Sequence, residues 1–112
     1  MSKYTRGAAF EYRCKHYLES FGWKVFRCAG SHSCSDLLAF KGKRTLWIQC
    51  KGKPKPGLKR QEKLDLLQGK TEHGVIPLAM CRKGKAPFNF LYYAIAPDLK
   101  VYQVKEPRWL KE

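Results

Sequence analysis

Three residues of this 112-residue chain have types and spacing that point to chemistry: Asp36, Gln49 and Lys51. Lys41 to Arg44 (KGKR) reads as a tight turn between two strand-like runs, Asp36 to Phe40 (DLLAF) and Thr45 to Lys51 (TLWIQCK). With the turn centred on Gly42 and Lys43, directly opposed residues carry numbers that sum to 85, so Asp36 faces Gln49. Opposed residues of antiparallel strands project from one face with Cβ atoms about 4.5 to 5.5 Å apart. Lys51, two residues on, shares that face. The other face of the second strand (Leu46, Ile48, Cys50) is apolar enough to pack on a helix, so the polar side is a built feature. An acid, an amide and a lysine together offer two oxygens to a hard cation and one ammonium to a phosphate or a water. That set suits phosphodiester hydrolysis.

Several elements must position these groups. Phe10, Cys14, Tyr17, Leu18 and Phe21 recur at helical spacing, which predicts a first helix over Gly7 to Phe21 stopped by Gly22. Glu11 lies one residue past its apolar seam. Trp23 to Arg27 reads as a strand, and Cys28 to Ser35 has loop composition. The run DLLAF is apolar on both faces, as a central strand covered by helices would be. Prolines 54 and 56 make Lys53 to Gly57 a loop. Leu58 to Lys70 reads as a second helix closed near Gly69 or Gly74. Val75 to Cys81 is strand-like, with Pro77 better suited to an edge or bulge. Strands over Phe90 to Ala96 and Val101 to Val104 follow, and no element is assigned to the tail from Lys105. The order α-β-β-β-α-β-β-β gives an α/β protein with a single mixed central β-sheet flanked by helices. One domain over 1–112 is expected, with the chemistry in 6–51 and the second helix and remaining strands in 58–104.

The charge is lopsided: 23 Lys and Arg against 9 Asp and Glu leave a formal +14. Such self-repulsion implies a polyanionic partner, most commonly nucleic acid. No apolar run approaches the roughly 18 residues of a membrane span, and no basic amphipathic helix with a large apolar face marks a membrane surface. The polar N-terminus and five scattered cysteines (14, 28, 34, 50, 81) fit a cytoplasmic protein with free thiols. Cys28, His32 and Cys34 lack the paired spacing of a zinc knuckle.

In order along the chain stand Arg6-Gly7, Glu11, Phe26-Arg27, Ala29-Gly30-Ser31, Asp36 and Gln49-Cys50-Lys51. This succession resembles the PD-(D/E)XK nuclease superfamily, and within it the archaeal-type Holliday junction resolvases. The resemblance implies a restriction-endonuclease-like core and a structure-selective, Mg2+-dependent endonuclease, with Mn2+ as a substitute, that nicks four-way DNA junctions as a homodimer and leaves 5'-phosphates. It implies Asp36, Gln49, Glu11 and the main-chain carbonyl of Cys50 as metal ligands. Lys51 is then the group that orients water, and Ser31 lies near the scissile phosphate. Arg6, Arg13, Arg27, Lys53, Lys55, Lys59 and Arg60 are the expected DNA contacts. Three departures stand out: Gln49 replaces a carboxylate, Ser35 a proline, and Tyr12 an arginine. Gln49 is either a natural variant in which Glu11 and Asp36 supply the charge, or an introduced Glu-to-Gln change that traps an inactive form. The alternatives to a resolvase are a restriction or repair nuclease of the same superfamily, and a basic nucleic-acid-binding domain that has lost catalysis.

Overall fold

The computed structural model describes residues 3–28, 35–84 and 89–112, with 3–7 as backbone alone. The elements are α1 (Lys3–Glu19), β1 (Lys24–Arg27), β2 (Leu37–Lys41), β3 (Arg44–Lys51), α2 (Arg60–His73), β4 (Ile76–Arg82), β5 (Phe90–Ile95), β6 (Val101–Val104) and a closing 3-10 turn (Arg108–Leu110). The strands form one sheet in chain order, β1 to β6. Every neighbouring pair is antiparallel except β3 and β4, which run parallel. A parallel pair needs a crossover, and α2 supplies it. The expected mixed sheet flanked by helices is therefore present.

The two faces of β3 separate two cores. Leu46, Ile48 and Cys50 face α1 and are buried with its Phe10, Cys14 and Leu18. On the opposite side Trp47 packs with Leu66 of α2, Ala79 and Ile95. Residues 47, 49 and 51 alternate onto that second side.

Helix α2 starts at Arg60 rather than Leu58. Leu58 is buried in the preceding loop, and Glu62, in the first turn, accepts the Lys59 backbone N–H at 2.8 Å. Lysine has no acceptor atom, so only the acidic half of a capping box forms here. The stop is Gly74, at φ 67°, where the absence of a Cβ permits the left-handed turn. Gly69 lies inside the helix, and a Cβ there would come within 2.4 Å of the Trp47 ring. It permits close approach of helix to sheet and terminates nothing.

Two strand expectations are corrected. Pro77 sits in a central strand with β3 on one side, but the ladder to β5 spans only Ala79 to Arg82. The missing N–H of Pro77 therefore breaks no rung of that ladder. The β2 strand is not covered on both faces. Leu37 and Ala39 are buried, while Phe40 is 41% exposed, because α2 lies over β3 and β4 and leaves the β1–β2 end open. Phe40 instead meets the exposed Phe26 edge to face, with centroids 6.0 Å apart. The tail also packs. Leu110 is fully buried, and its carbonyl accepts the Trp23 indole N–H at 2.7 Å.

Candidate active site

The β2–β3 register runs from Lys41↔Arg44 to Leu37↔Ile48, the pairing the turn predicts. Asp36 stands just beyond the last rung. Its backbone N–H donates to the Ile48 carbonyl at 2.9 Å, and its Oδ2 accepts the Cys50 N–H at 2.8 Å. The carboxylate is thus tied to the segment that carries Gln49 and Lys51. Ser35 is buried at 1% exposure, and its hydroxyl donates to the Leu37 carbonyl at 2.9 Å. This local bond holds the bend at the position where the superfamily places proline. Burial is the main cause that holds the Asp36 pKa above its ordinary value. The charge of Glu62 adds to the rise, against the opposing Cys50 N–H, Lys51 and Arg27.

Gln49 is 5% exposed, an amide sheltered beside the acid. The Lys51 ammonium points to α2, where Nζ lies 3.1 Å from Glu62 Oε2 and 3.4 Å from Oε1. Glu11 reaches the site from α1. Burial raises its pKa first and the Asp36 carboxylate second, while Arg27 lowers it. Arg27 donates from Nε to Glu11 Oε1 at 2.9 Å, and its guanidinium stacks 5.0 Å from the Tyr12 ring centroid. Arg27, expected as a DNA contact, is thus also the counter-ion of Glu11. Ser31 and the Arg6 side chain lie outside the described residues.

Among the described residues no three of His, Cys, Asp and Glu converge as a metal cage. The oxygens that could serve as donors, from two carboxylates, the Gln49 amide and the Cys50 carbonyl, make an all-oxygen set that would suit a hard cation with less charge than three acids would bring. Glu11 and Asp36 each have raised pKa values, and Asp36 is one of the causes at Glu11. A bound cation would relieve that burden. The residues present fit a divalent metal.

Beyond Lys51 the chain carries a basic rim through the proline loop to the start of α2. Arg13 is exposed on α1, as are Lys53 and Lys55 in the proline loop and Lys59 and Arg60 at the start of α2. The loop is tied down: the Lys53 carbonyl accepts the Arg82 N–H at 3.2 Å, and the Pro54 carbonyl accepts the Tyr93 hydroxyl at 2.9 Å. Arg82 and Lys83 are exposed at the end of β4. Two basic segments that look separate in sequence therefore meet.

Residues 2–102 match the family model described as archaeal Holliday junction resolvase (Hjc). The chain belongs to this family. Among solved structures, a Holliday junction resolvase Hjc from Archaeoglobus fulgidus, an archaeal hyperthermophile, is similar at a TM-score of 0.70 and 20% identity. The match covers 89% of this chain and 88% of that one, and it supports the fold. A search of the curated proteins returns no match. The chain is a Holliday junction resolvase, a metal-dependent endonuclease that hydrolyses phosphodiester bonds of branched DNA. Among the described residues of this resolvase, no helix is long and apolar enough to cross a membrane.

Sequence reasoning missed Glu62. The signal available was an acid three residues after the position preceding the helix, but its contact with Lys51 depends on α2 folding across the sheet. It also missed the cluster in which the Tyr17 and Tyr92 hydroxyls both donate to Glu106 Oε2, at 2.7 and 2.5 Å.

Proposed function

We propose that Asp36, Glu11, Gln49 and Lys51 form the cutting site of this resolvase, which acts on four-way junctions as a homodimer in the cytoplasm. One observation carries the reading: Asp36 Oδ2 accepts the Cys50 N–H, so the acid is fixed beside the Gln49-Cys50-Lys51 segment. Asp36, Gln49, Glu11 and the Cys50 carbonyl are the residues that would hold Mg2+, with Mn2+ as a substitute. Such an ion, when bound, neutralises phosphate charge and lowers the pKa of a coordinated water. Lys51 would orient the attacking water with its ammonium, and Asp36 is held in place through its backbone N–H and its Oδ2. Arg27 draws Glu11 toward the cleft and, with Arg6, Arg13, Lys53, Lys55, Lys59 and Arg60, meets the DNA backbone.

A homodimer follows from the substrate's symmetry. A four-way junction has approximate two-fold symmetry, and paired cuts call for two sites on a matching protein. Sedimentation in dilute solution is expected to give twice the chain mass. The arrangement of both α-helices on one six-stranded sheet supports one nuclease domain, and Cys14, Cys50 and Cys81 carry unbridged thiols, as a reducing cytoplasm would keep them.

The test is cleavage of a labelled four-way junction and its matched duplex, with Mg2+ and with Mn2+, by the parent chain, Gln49→Glu and Asp36→Ala. Asp36→Ala should be inert. Gln49→Glu should cut the junction about tenfold faster or more, as expected when a metal ligand regains its charge. If Asp36→Ala cuts as the parent does, or Gln49→Glu is inert on every substrate, the site is wrongly placed.

A further inference from the structure

A lysine that orients water needs its own orientation fixed, because a four-carbon stem with a rotating ammonium has many arrangements. The strand does not provide this. Gln49, which shares a face with Lys51, is neutral, and Asp36 Oδ2 is engaged by the Cys50 N–H. The acceptor comes from the helix. Both Glu62 oxygens lie within 3.4 Å of Lys51 Nζ, and the pair is partly sheltered, at 28% and 24% side-chain exposure. Glu62 is itself fixed, since Oε1 also accepts the Lys59 N–H at 2.8 Å. Its charge is felt at Asp36 as well, so it belongs to the field of the site.

We propose that Glu62 is the positioning residue of Lys51: from helix α2 it holds the catalytic ammonium and supplies the negative charge that Gln49 does not. This rests on the reading that Lys51 acts in cutting. Glu62 joins the basic rim to the chemistry through its bond to Lys59, because anything that shifts the start of α2 shifts Lys51 with it. A carboxylate placed at position 49 would offer Lys51 a second partner and make Glu62 less needed.

A purely structural role as the cap of α2 has different consequences. Glu62→Gln keeps an oxygen for the Lys59 N–H but loses the charge on Lys51, and Glu62→Asp keeps the charge at shorter reach. Junction cleavage by Glu62→Gln should fall about tenfold in kcat, with KM within about twofold and an unchanged melting temperature. Glu62→Asp should fall between it and the parent. In metal-free protein the side-chain ammonium resonance of Lys51 should be sharp in the parent and broadened in Glu62→Gln. The loss should shrink when Gln49→Glu is also present. The proposal is overturned if Glu62→Gln cuts at the parent rate, if its loss tracks the melting temperature alone, or if the loss is the same with Gln49→Glu. Lys51→Met separates the two layers. If Lys51→Met is inert while Glu62→Gln is normal, only the role of Glu62 fails. If Lys51→Met cuts normally, the reading of the site fails and takes this proposal with it.

Discussion

Asp36 costs the metal-free protein stability. Burial, the largest cause, holds its carboxyl pKa above the ordinary value, so the folded state keeps a proton that the unfolded chain has already released. Stability therefore falls as pH rises from the ordinary carboxylate value through the raised one, and the penalty persists at neutral pH. Asp36→Asn keeps an oxygen for the Cys50 N–H and removes the charge. We expect it to melt a few degrees higher than the parent in chelator at neutral pH, while losing cleavage, the usual trade between a strained site and stability. A melting scan at matched pH checks this, and an unchanged or lower melting temperature counts against the electrostatic account. The position of Asp36 was legible in sequence because a two-residue turn fixes the register of everything behind it. Glu62 was not, since its pairing with Lys51 joins residues from different elements and depends on the angle at which α2 crosses the sheet.

Among the elements, the order and type of α1, α2 and the six strands followed from the sequence, while α1 starts at Lys3 and ends at Glu19 rather than spanning Gly7 to Phe21, and the closing 3-10 turn had no signal. The bounds of α2 differ as well. Gly69 shows why. A glycine in a helical pattern signals a stop or a close contact, and only the Trp47 ring beneath it decides for the contact. Gly69→Ala should therefore destabilise despite the ~1 kcal/mol gain in helix propensity. Overpacking against a rigid ring costs about 1 to 3 kcal/mol, seen as a lower urea midpoint. The tail gives a second test. Burial pushes the Glu106 pKa up, but hydrogen bonds from Tyr92, Tyr17 and Lys111 outweigh it, and the net shift is downward. A depressed carboxyl stabilises the fold above its unfolded pKa, and that stability is lost as pH falls through the folded value. Urea midpoints measured downward from about pH 5 should drop more steeply for the parent than for Glu106→Gln. Parallel profiles would show that the tyrosine cluster contributes nothing of the kind. The tail's docking had no periodic signal because its anchors, Trp109 and Leu110, meet Trp23 from the far end of the chain.

At the scale of the molecule, the formal +14 announced a polyanion, and the family supplies it as junction DNA. The union of the proline loop with the end of β4 was not readable, because the Lys53–Arg82 bond depends on the parallel pairing of β3 and β4. If both segments track the backbone, junction binding should weaken steeply with salt, each phosphate contact steepening the slope of log affinity by about 0.9. Lys53→Ala and Lys83→Ala should each shallow that slope by about one contact. Equal slopes for parent and variants would remove these residues from the footprint.

Asp36 and its partners on β3 are proposed to hold the metal with oxygen donors that lack one charge. Mn2+ titration by calorimetry, on the parent, Asp36→Ala and Gln49→Glu without DNA, addresses this most directly. Weak binding is expected for the parent, about tenfold or more tighter binding for Gln49→Glu, and none for Asp36→Ala. Parent-like binding by Asp36→Ala, or no gain from Gln49→Glu, would contradict it.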